Sequence, residues 1–253
     1  MIEEGFVHGD SVIHRLDPRV RTVVAGAFSI VVATSDRFVA LVPAVIVAVS
    51  FLLLARLSFR SVMPRLLMVN GLILLLWFLL PFTSEGEPLF TLGPLKGTME
   101  GIMYSTTITV KSNTIIMTLM AFVATMPIFT LGRALRSLHM PHKIVHLISF
   151  AYRYIHVIHA EYGRMINAMK IRGFCPRNNL YTYKTYAYLV GMLLVKSYDR
   201  ASRVRAAMLC RGFKGNFYDL SEFFMKTSDR LALVLLLLVT ACIGLLQWTR
   251  IIY

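Results

Sequence analysis

Hydrophobic residues run along this chain in long blocks broken by short polar interruptions, with little of the three-to-four-residue striping of a soluble helical protein. Residues 1–19 are polar and end at Asp17-Pro18, where an aspartate able to cap a helix precedes a proline suited to its first turn. Apolar blocks at about Val20–Thr34, Phe38–Leu57, Leu66–Phe82, Ile102–Met126 and Leu231–Trp248 then predict membrane-spanning helices. The first is short for a span, and Pro43 predicts either a kink in the second or a place in its first turn. Between the blocks lie a tight polar turn at Ser35-Asp36-Arg37, a basic loop with Arg56, Arg60 and Arg65, and a Gly/Pro/Glu-rich loop that ends near Glu100. The fourth block is polar for a span, with Ser105, Thr106, Thr107, Lys111, Ser112, Asn113 and Thr114. Those groups are expected to face protein or water, not lipid.

From about Leu131 the pattern changes. Arg133, Arg136, His139, His142, Lys143 and His146 arrive together, followed by two long helical segments at about Pro141–Arg172 and Tyr181–Arg211, each apolar early and basic late. Both exceed the roughly 20 residues a span needs, and both end in a multiply charged turn. They are expected to be partly membrane-buried and mostly cytoplasmic. The fold class is therefore all-α, a polytopic membrane protein with about five spans and two long cytoplasmic or interfacial helices. Three regions follow: residues 1–126 with four spans, residues 127–228 as a basic region, and residues 229–253 with the last span.

Within the basic region one pattern occurs twice. Arg164 to Phe174 and Arg203 to Phe213 both read R-x-x-x-A-M-x-x-R-G-F, at an offset of 39 residues. A constant offset of that size marks a reused structural unit. Residues four apart share a helix face, so Arg164, Ala168 and Arg172 form one row and Arg203, Ala207 and Arg211 another. Met169 and Met208 accompany the two alanines. Gly173 and Gly212 stand where a helix stops, because glycine accepts the left-handed conformation of the residue after the cap. The expected product is a helix tip bearing a permanently charged planar fork beside a small residue, at the end where the macrodipole favours a cation. Such a tip suits a groove lined with carboxylates or carbonyls on another protein. A plainer alternative is a basic helix end facing anionic lipid.

Composition sharpens the topology. The chain of 253 residues is 57% hydrophobic and carries 27 Lys and Arg against 13 Asp and Glu, a net charge of +14; its mean hydropathy is +0.64. In a membrane protein such an excess reports cytoplasmic segments before it reports nucleic acid. A cytoplasmic N-terminus with five spans puts Arg15, Arg19, Arg21, Arg56, Arg60, Arg65 and the whole basic region inside, and the Asp36 turn and the Glu-rich loop outside. Making both long segments full spans would put the first R-G-F tip outside. The 3 cysteines, Cys175, Cys210 and Cys242, show neither a disulfide framework nor zinc-site spacing. The acidic, polar start at Met1-Ile2-Glu3-Glu4 predicts no cleavable leader.

The chain resembles the transmembrane T-subunits of energy-coupling-factor (ECF) transporters, a kind of ABC importer, and within them the cobalt/nickel, CbiQ-like branch. The residues that carry this are Ser11-Val-Ile-His14-Arg15-Leu-Asp17-Pro18-Arg19, Ala134-Leu-Arg136 leading to Pro141, Tyr152-Arg153-Tyr154 with Glu161, and Ser197 through Gly215. The match takes in nearly the whole chain. The paired Ala-x-x-x-Arg-Gly signatures are specific for the T-subunit role, whereas the metal branch rests on softer flanking similarity. The resemblance implies a multi-pass subunit of a prokaryotic cell membrane. Its implied partners are two cytosolic ABC ATPases, a substrate-binding membrane S-subunit and membrane lipids, with no nucleic acid and no cofactor of its own. It implies that Ala168, Arg172, Gly173, Ala207, Arg211 and Gly212 couple to the ATPases, supported by Arg164, Arg203, Met169 and Met208. The family often has Ala before the Arg, where this chain has Ile171 and Cys210, which implies bulkier packing at each tip. The implied function is to transmit ATP-driven motion during cobalt or nickel uptake. A T-subunit of a vitamin-type transporter and a stand-alone carrier or channel stay open as alternatives.

Other chemistries are weaker. His156, His159 and Glu161 could hold a divalent ion, but no third strong ligand segment is visible. There is no nucleophile-with-base pattern and no G-x-x-x-x-G-K-S/T phosphate loop, so the chain is expected not to be an enzyme, with ATP hydrolysis in another chain. Lys111 and Asn113 could mark a translocation pathway or a buried helix contact.

Overall fold

The computed structural model describes residues 11–83, 88–92, 95–215 and 225–248. In chain order the elements are α1 (Val12–Arg15), α2 (Pro18–Thr34), α3 (Phe38–Leu54), α4 (Phe59–Thr83), β1 (Pro88–Leu92), β2 (Leu95–Thr98), α5 (Met99–Phe122), α6 (Ile128–Ser137), α7 (His142–Ile171), α8 (Leu180–Cys210) and α9 (Thr227–Trp248). They divide into two compact units, one of Ile2–His139 with Phe223–Tyr253 and the other of Met140–Glu222.

The first unit is a helical bundle built around α2, which packs against α5, α6 and α9. Its start is set by Asp17, whose Oδ1 accepts from the Arg19 backbone N–H at 2.8 Å, with Pro18 in the first position. Val20, Val24, Phe28 and Val32, one helical row at four-residue spacing, are fully buried. Phe28, Phe51 and Phe122 from three helices stack edge to face, with centroids 5.7 and 4.9 Å apart. On α3 the row Ala40, Ala44 and Ala48 is buried. Small residues at that spacing let helices approach closely, which is what drives association where lipid removes the hydrophobic incentive. Pro43 lies inside α3, not in its first turn.

Two helices, Arg60–Thr83 and Thr227–Gln247, are long and apolar enough to cross a membrane by themselves, and Phe38–Leu54 is a shorter apolar helix. On α4 the side chains of Met68, Leu72 and Phe78 are strongly exposed, as a lipid-facing helix requires. The less apolar α2 and α5 each pack against several neighbours, so one face of each meets protein.

Six hydroxyls of α5 (Ser105, Thr106, Thr107, Thr109, Thr114 and Thr118) each donate to the carbonyl four residues earlier in the same helix. The helix thereby satisfies these hydroxyl donors by itself. Lys111 Nζ donates to Asp36 Oδ1 at 2.7 Å and to the Ala33 carbonyl at 3.1 Å. Gln247 Nε2 donates to the Thr34 carbonyl at 2.7 Å. Carbonyls left open at the end of α2 are thus closed by side chains from α5 and α9.

At the other end of α2 the Arg21 guanidinium, buried, donates to Thr125 Oγ1. These two tie points fix α2 and α5 antiparallel. From Lys111 back to Met99, α5 runs on for 12 residues, roughly 18 Å beyond the α2–α3 turn. The step leaves an open cleft of about 780 Å³ lined by Asp36, Phe38, Glu100 and Tyr104 among others.

Three features differ from the sequence expectation. Arg60 and Arg65 belong to the first turns of α4 and not to a loop. The Gly/Pro/Glu-rich segment contains an antiparallel pairing, with Phe90 opposite Gly97 and Leu92 opposite Leu95, while Glu85 and Glu87 lie outside the described residues. Finally, α6 is a separate helix that packs on α2 and buries Gly132 and Ala134.

Candidate functional site

The second unit holds both copies of the repeated pattern, one at the end of α7 and one at the end of α8. Lys170, Ile171 and Arg172 close α7, and Arg172 is its C-cap at φ −80°, ψ 11°. Gly173 then takes φ +79°, a conformation that costs an L-residue its Cβ clearance and costs glycine nothing. The Gly173 N–H donates to the Lys170 carbonyl at 3.0 Å and the Phe174 N–H to the Met169 carbonyl at 3.1 Å. This pair of bonds is the Schellman terminator.

The second tip repeats the first. Arg211 caps α8 at φ −87°, ψ 12°, and Gly212 takes φ +76°. Gly212 donates to the Leu209 carbonyl and Phe213 to the Met208 carbonyl, both at 3.0 Å. Exposure repeats as well. In both copies the Ala, Arg and Gly are exposed, whereas the Met and Phe are half-buried. Met169 and Met208, supporting residues by their place in the sequence pattern, supply the carbonyls that receive the longer bond of each terminator.

Among the described residues, neither Arg172 nor Arg211 has a side-chain hydrogen bond or ion pair. Each guanidinium therefore projects its five donors from a helix C-terminus, beside the open surface of Ala168 or Ala207. A planar cation held this way offers bidentate bonding to a carboxylate or to paired carbonyls.

The copies part at their first arginine. Arg203 has no partner among the described residues, whereas Arg164 donates to Glu161 Oε2. Glu161 also accepts through Oε1 from Lys196 of α8. Those two hydrogen bonds, Lys196 before Arg164, hold the Glu161 carboxyl down from 4.5 to about 2.

With both its oxygens engaged by cations, Glu161 is no metal ligand. Among the described residues no group of three His, Cys, Asp or Glu side chains stands together. His156 instead meets the Tyr152 ring edge to face, centroids 5.4 Å apart. Sequence reasoning does not single out Lys196. The one signal that points to it is the isolation of Glu161 on a pair of basic helices.

Compared with known proteins, residues 9–220 match the family described as cobalt transport protein, CbiQ. The matched segment includes both helix tips. The chain is similar to the energy-coupling factor transporter transmembrane protein EcfT of Lactococcus lactis subsp. cremoris (strain MG1363), 26% identical over 262 residues covering 99% of this chain and 98% of that protein. It is 28% identical to the protein of the same name from Thermosediminibacter oceani over 243 residues, 90% of this chain and 91% of that one. It is 26% identical to that of Bacillus subtilis (strain 168) over 229 residues, 85% of each.

Proposed function

The chain belongs to the cobalt transport protein family, CbiQ, and from that premise we propose that it is the transmembrane coupling subunit of an energy-coupling-factor importer. In this reading two cytosolic ABC ATPases receive the tips at Arg172 and Arg211. Closure of the ATPases on ATP moves the tips, and the motion passes through the membrane helices to a separate substrate-binding subunit. The observation that carries the reading is the duplicated terminator: two helix ends of the same geometry, each presenting an arginine fork with no side-chain partner among the described residues.

Two equivalent plugs suit two equivalent sockets. The half-buried Phe174 and Phe213 and the small Ala168 and Ala207 leave each fork standing clear of its own helix. Arg164 and Arg203, Met169 and Met208, and the glycines Gly173 and Gly212 set the shape of the plug. The charge pattern supports a cytoplasmic N-terminus, with the basic region on the same side.

The family's description, cobalt transport protein, supports cobalt as the cargo, with nickel a second candidate ion, carried by the partner subunit and not held by this chain. The name of the relatives, energy-coupling factor transporter transmembrane protein, also accommodates a coupling subunit with non-metal cargo. Uptake of radiolabelled cobalt and nickel by the reconstituted complex separates the two.

The coupling reading is tested by detergent pull-down of the ATPases with Arg172→Ala, Arg211→Ala and the double variant. Removing one member of a charge-assisted pair at an interface costs about 2–5 kcal/mol. One substitution is expected to weaken assembly and two to abolish it, with Arg→Lys rescuing only in part for want of the planar fork. A double variant that keeps its ATPases and full coupled transport defeats the reading.

A further inference from the structure

Helices α7 and α8, 30 and 31 residues long, meet over a short stretch and are otherwise free of each other. At that meeting point stands Glu161, the single acidic residue between Glu100 and Asp199. Its side chain is 14% exposed, while those of its partners Arg164 and Lys196 are 65% and 47% exposed. One carboxylate oxygen is held by Arg164 from its own helix and the other by Lys196 from across the junction. Beside the carboxylate lies a cavity of about 170 Å³ walled by Val157, Ile158, Leu193 and Ala201. The junction thus sets the Glu161–Lys196 bond beside an open pocket, where a tightly interdigitated helix pair would close up. Dense packing resists rotation, and an open pocket beside the bond permits it.

We propose that Glu161 is a positioning residue that pins α7 to α8 and sets the separation of the two arginine tips, the helices turning about this point. The proposal rests on the coupling reading for its purpose but not for its geometry. From Glu161 to Arg172 is 11 residues and from Lys196 to Arg211 is 15, which makes lever arms of roughly 16 and 22 Å. A rotation of about 10° at the pin moves the tips by roughly 3 and 4 Å, a displacement on the scale of a side chain. An ion pair with exposed cations adds little stability in itself. What it adds is a fixed point, because its two bonds must share one carboxylate. The repeat copies differ at this point: Arg164 turns back to brace Glu161 three residues before it, whereas the residue three before Arg203 is Arg200.

The test is a distance measurement on the full-length chain in detergent, without ATPases. Spin labels go on Ile171→Cys and Leu209→Cys, which are exposed positions next to the two tips, after Cys175, Cys210 and Cys242 are changed to Ser. Glu161→Gln and Lys196→Met, which break the bond from either helix, are each expected to broaden or shift the label-to-label distance by about 3 Å or more. The exchange Glu161→Lys with Lys196→Glu restores one carboxylate between two cations and is expected to restore the distribution. In the reconstituted complex Glu161→Gln is expected to keep its ATPases in pull-down and to lose transport per ATP hydrolysed. Unchanged distances in both single variants, or an exchange variant that elutes as folded protein and stays broadened, would overturn the pin. Neither result bears on whether the tips dock, which the arginine variants decide separately.

Discussion

The strongest quantitative consequence of the duplicated terminator concerns its glycines. At Gly173 and Gly212 φ is +79° and +76°, and no atom lies within 4 Å of where a Cβ would stand. An alanine there meets no clash with the rest of the molecule. Its whole cost is backbone conformation, about 1–2 kcal/mol for an L-residue forced into the left-handed region. Both tips are exposed, so the cost falls on the local equilibrium between the terminated and unravelled helix end, with global stability little changed. One to two kcal/mol lowers the occupancy of the terminated shape by up to about 5- to 30-fold. A partner that selects that shape loses affinity by up to the same factor. Asparagine tolerates the left-handed region better than alanine and is expected to lose less.

The assay is titration of purified ATPases against the detergent-solubilised chain carrying Gly173→Ala, Gly173→Asn, Gly212→Ala or both alanines. The expected affinity order is Gly, then Asn, then Ala. The effects of the two tips should combine multiplicatively, because no contact or hydrogen bond joins the two glycines. Alanine variants that bind as tightly as wild type at unchanged helical content would show that the partner does not read the terminator, and the plug-and-socket account of the tips would fail. Equal losses for Ala and Asn would show that the loss of glycine itself matters and not the sign of φ.

Other expectations test the remaining joints. A Cβ at Gly101 would sit 2.6 Å from Pro81 Cα and 2.7 Å from the Leu80 carbonyl oxygen, so Gly101→Ala is expected to destabilise by about 1–3 kcal/mol; an unchanged thermal midpoint in detergent would mean that α4 and α5 do not press together there. Asp17→Ala removes the cap of α2 and is expected to cost about 1 kcal/mol, seen as lower folded yield with transport per folded complex preserved; normal yield with abolished transport would contradict this. Glu161 faces Lys196, Arg164 and, across the same cavity, Arg200 and Tyr154, and its pKa is lowered from 4.5 to about 2. A lowered carboxylate gives stability that is complete above its unfolded value and fades as pH falls toward the folded one, so the α7–α8 distance distribution should hold from neutral pH to about 4 and broaden as pH falls toward about 2; broadening between pH 6 and 8 would assign the pin to another group. Cysteines at Ser84 and Ser228 should label from opposite sides of sealed vesicles, with Ser228 cytoplasmic, and labelling from one side would rule out the proposed orientation.

Legibility in the sequence divides by range. A Schellman terminator is written within six consecutive residues, and its glycine is the only residue type that fits without cost. The tips at Arg172 and Arg211 and the Asp17-Pro18 start of α2 are readable for that reason. The limits expected for α7 and α8 fall within a residue or two of the observed ones because proline, asparagine and glycine punctuate them. Lys196 pairs with Glu161 across 35 residues, and nothing in either neighbourhood encodes where two helices meet. The β1–β2 pairing escapes for another reason. Its strands have 5 and 4 residues, too few for an alternating pattern to stand out against glycine and proline. Short α6 does not separate from α7 in the sequence, because its basic residues Arg133 and Arg136 share the composition of α7 while its packing belongs to α2.

The polar character of α5 shows how one pattern admits two mechanisms until partners are known. Threonines, an asparagine and a lysine in the middle of a span are what a translocation pathway would display, and equally what a buried helix contact would display. The hydrogen bonds separate these. A pathway needs donors and acceptors turned to a shared aqueous lumen. Here six hydroxyls of α5 are bonded to its own carbonyls, Lys111 is engaged by Asp36 and the end of α2, and Asn113 donates to Asn70 of α4 at 3.0 Å. Lys111 and Asn113 tie α5 to the end of α2 and to α4, while the six hydroxyls donate only within α5. The polar residues of α5 are thus engaged mainly within the helix and by its neighbours, as a buried helix contact requires.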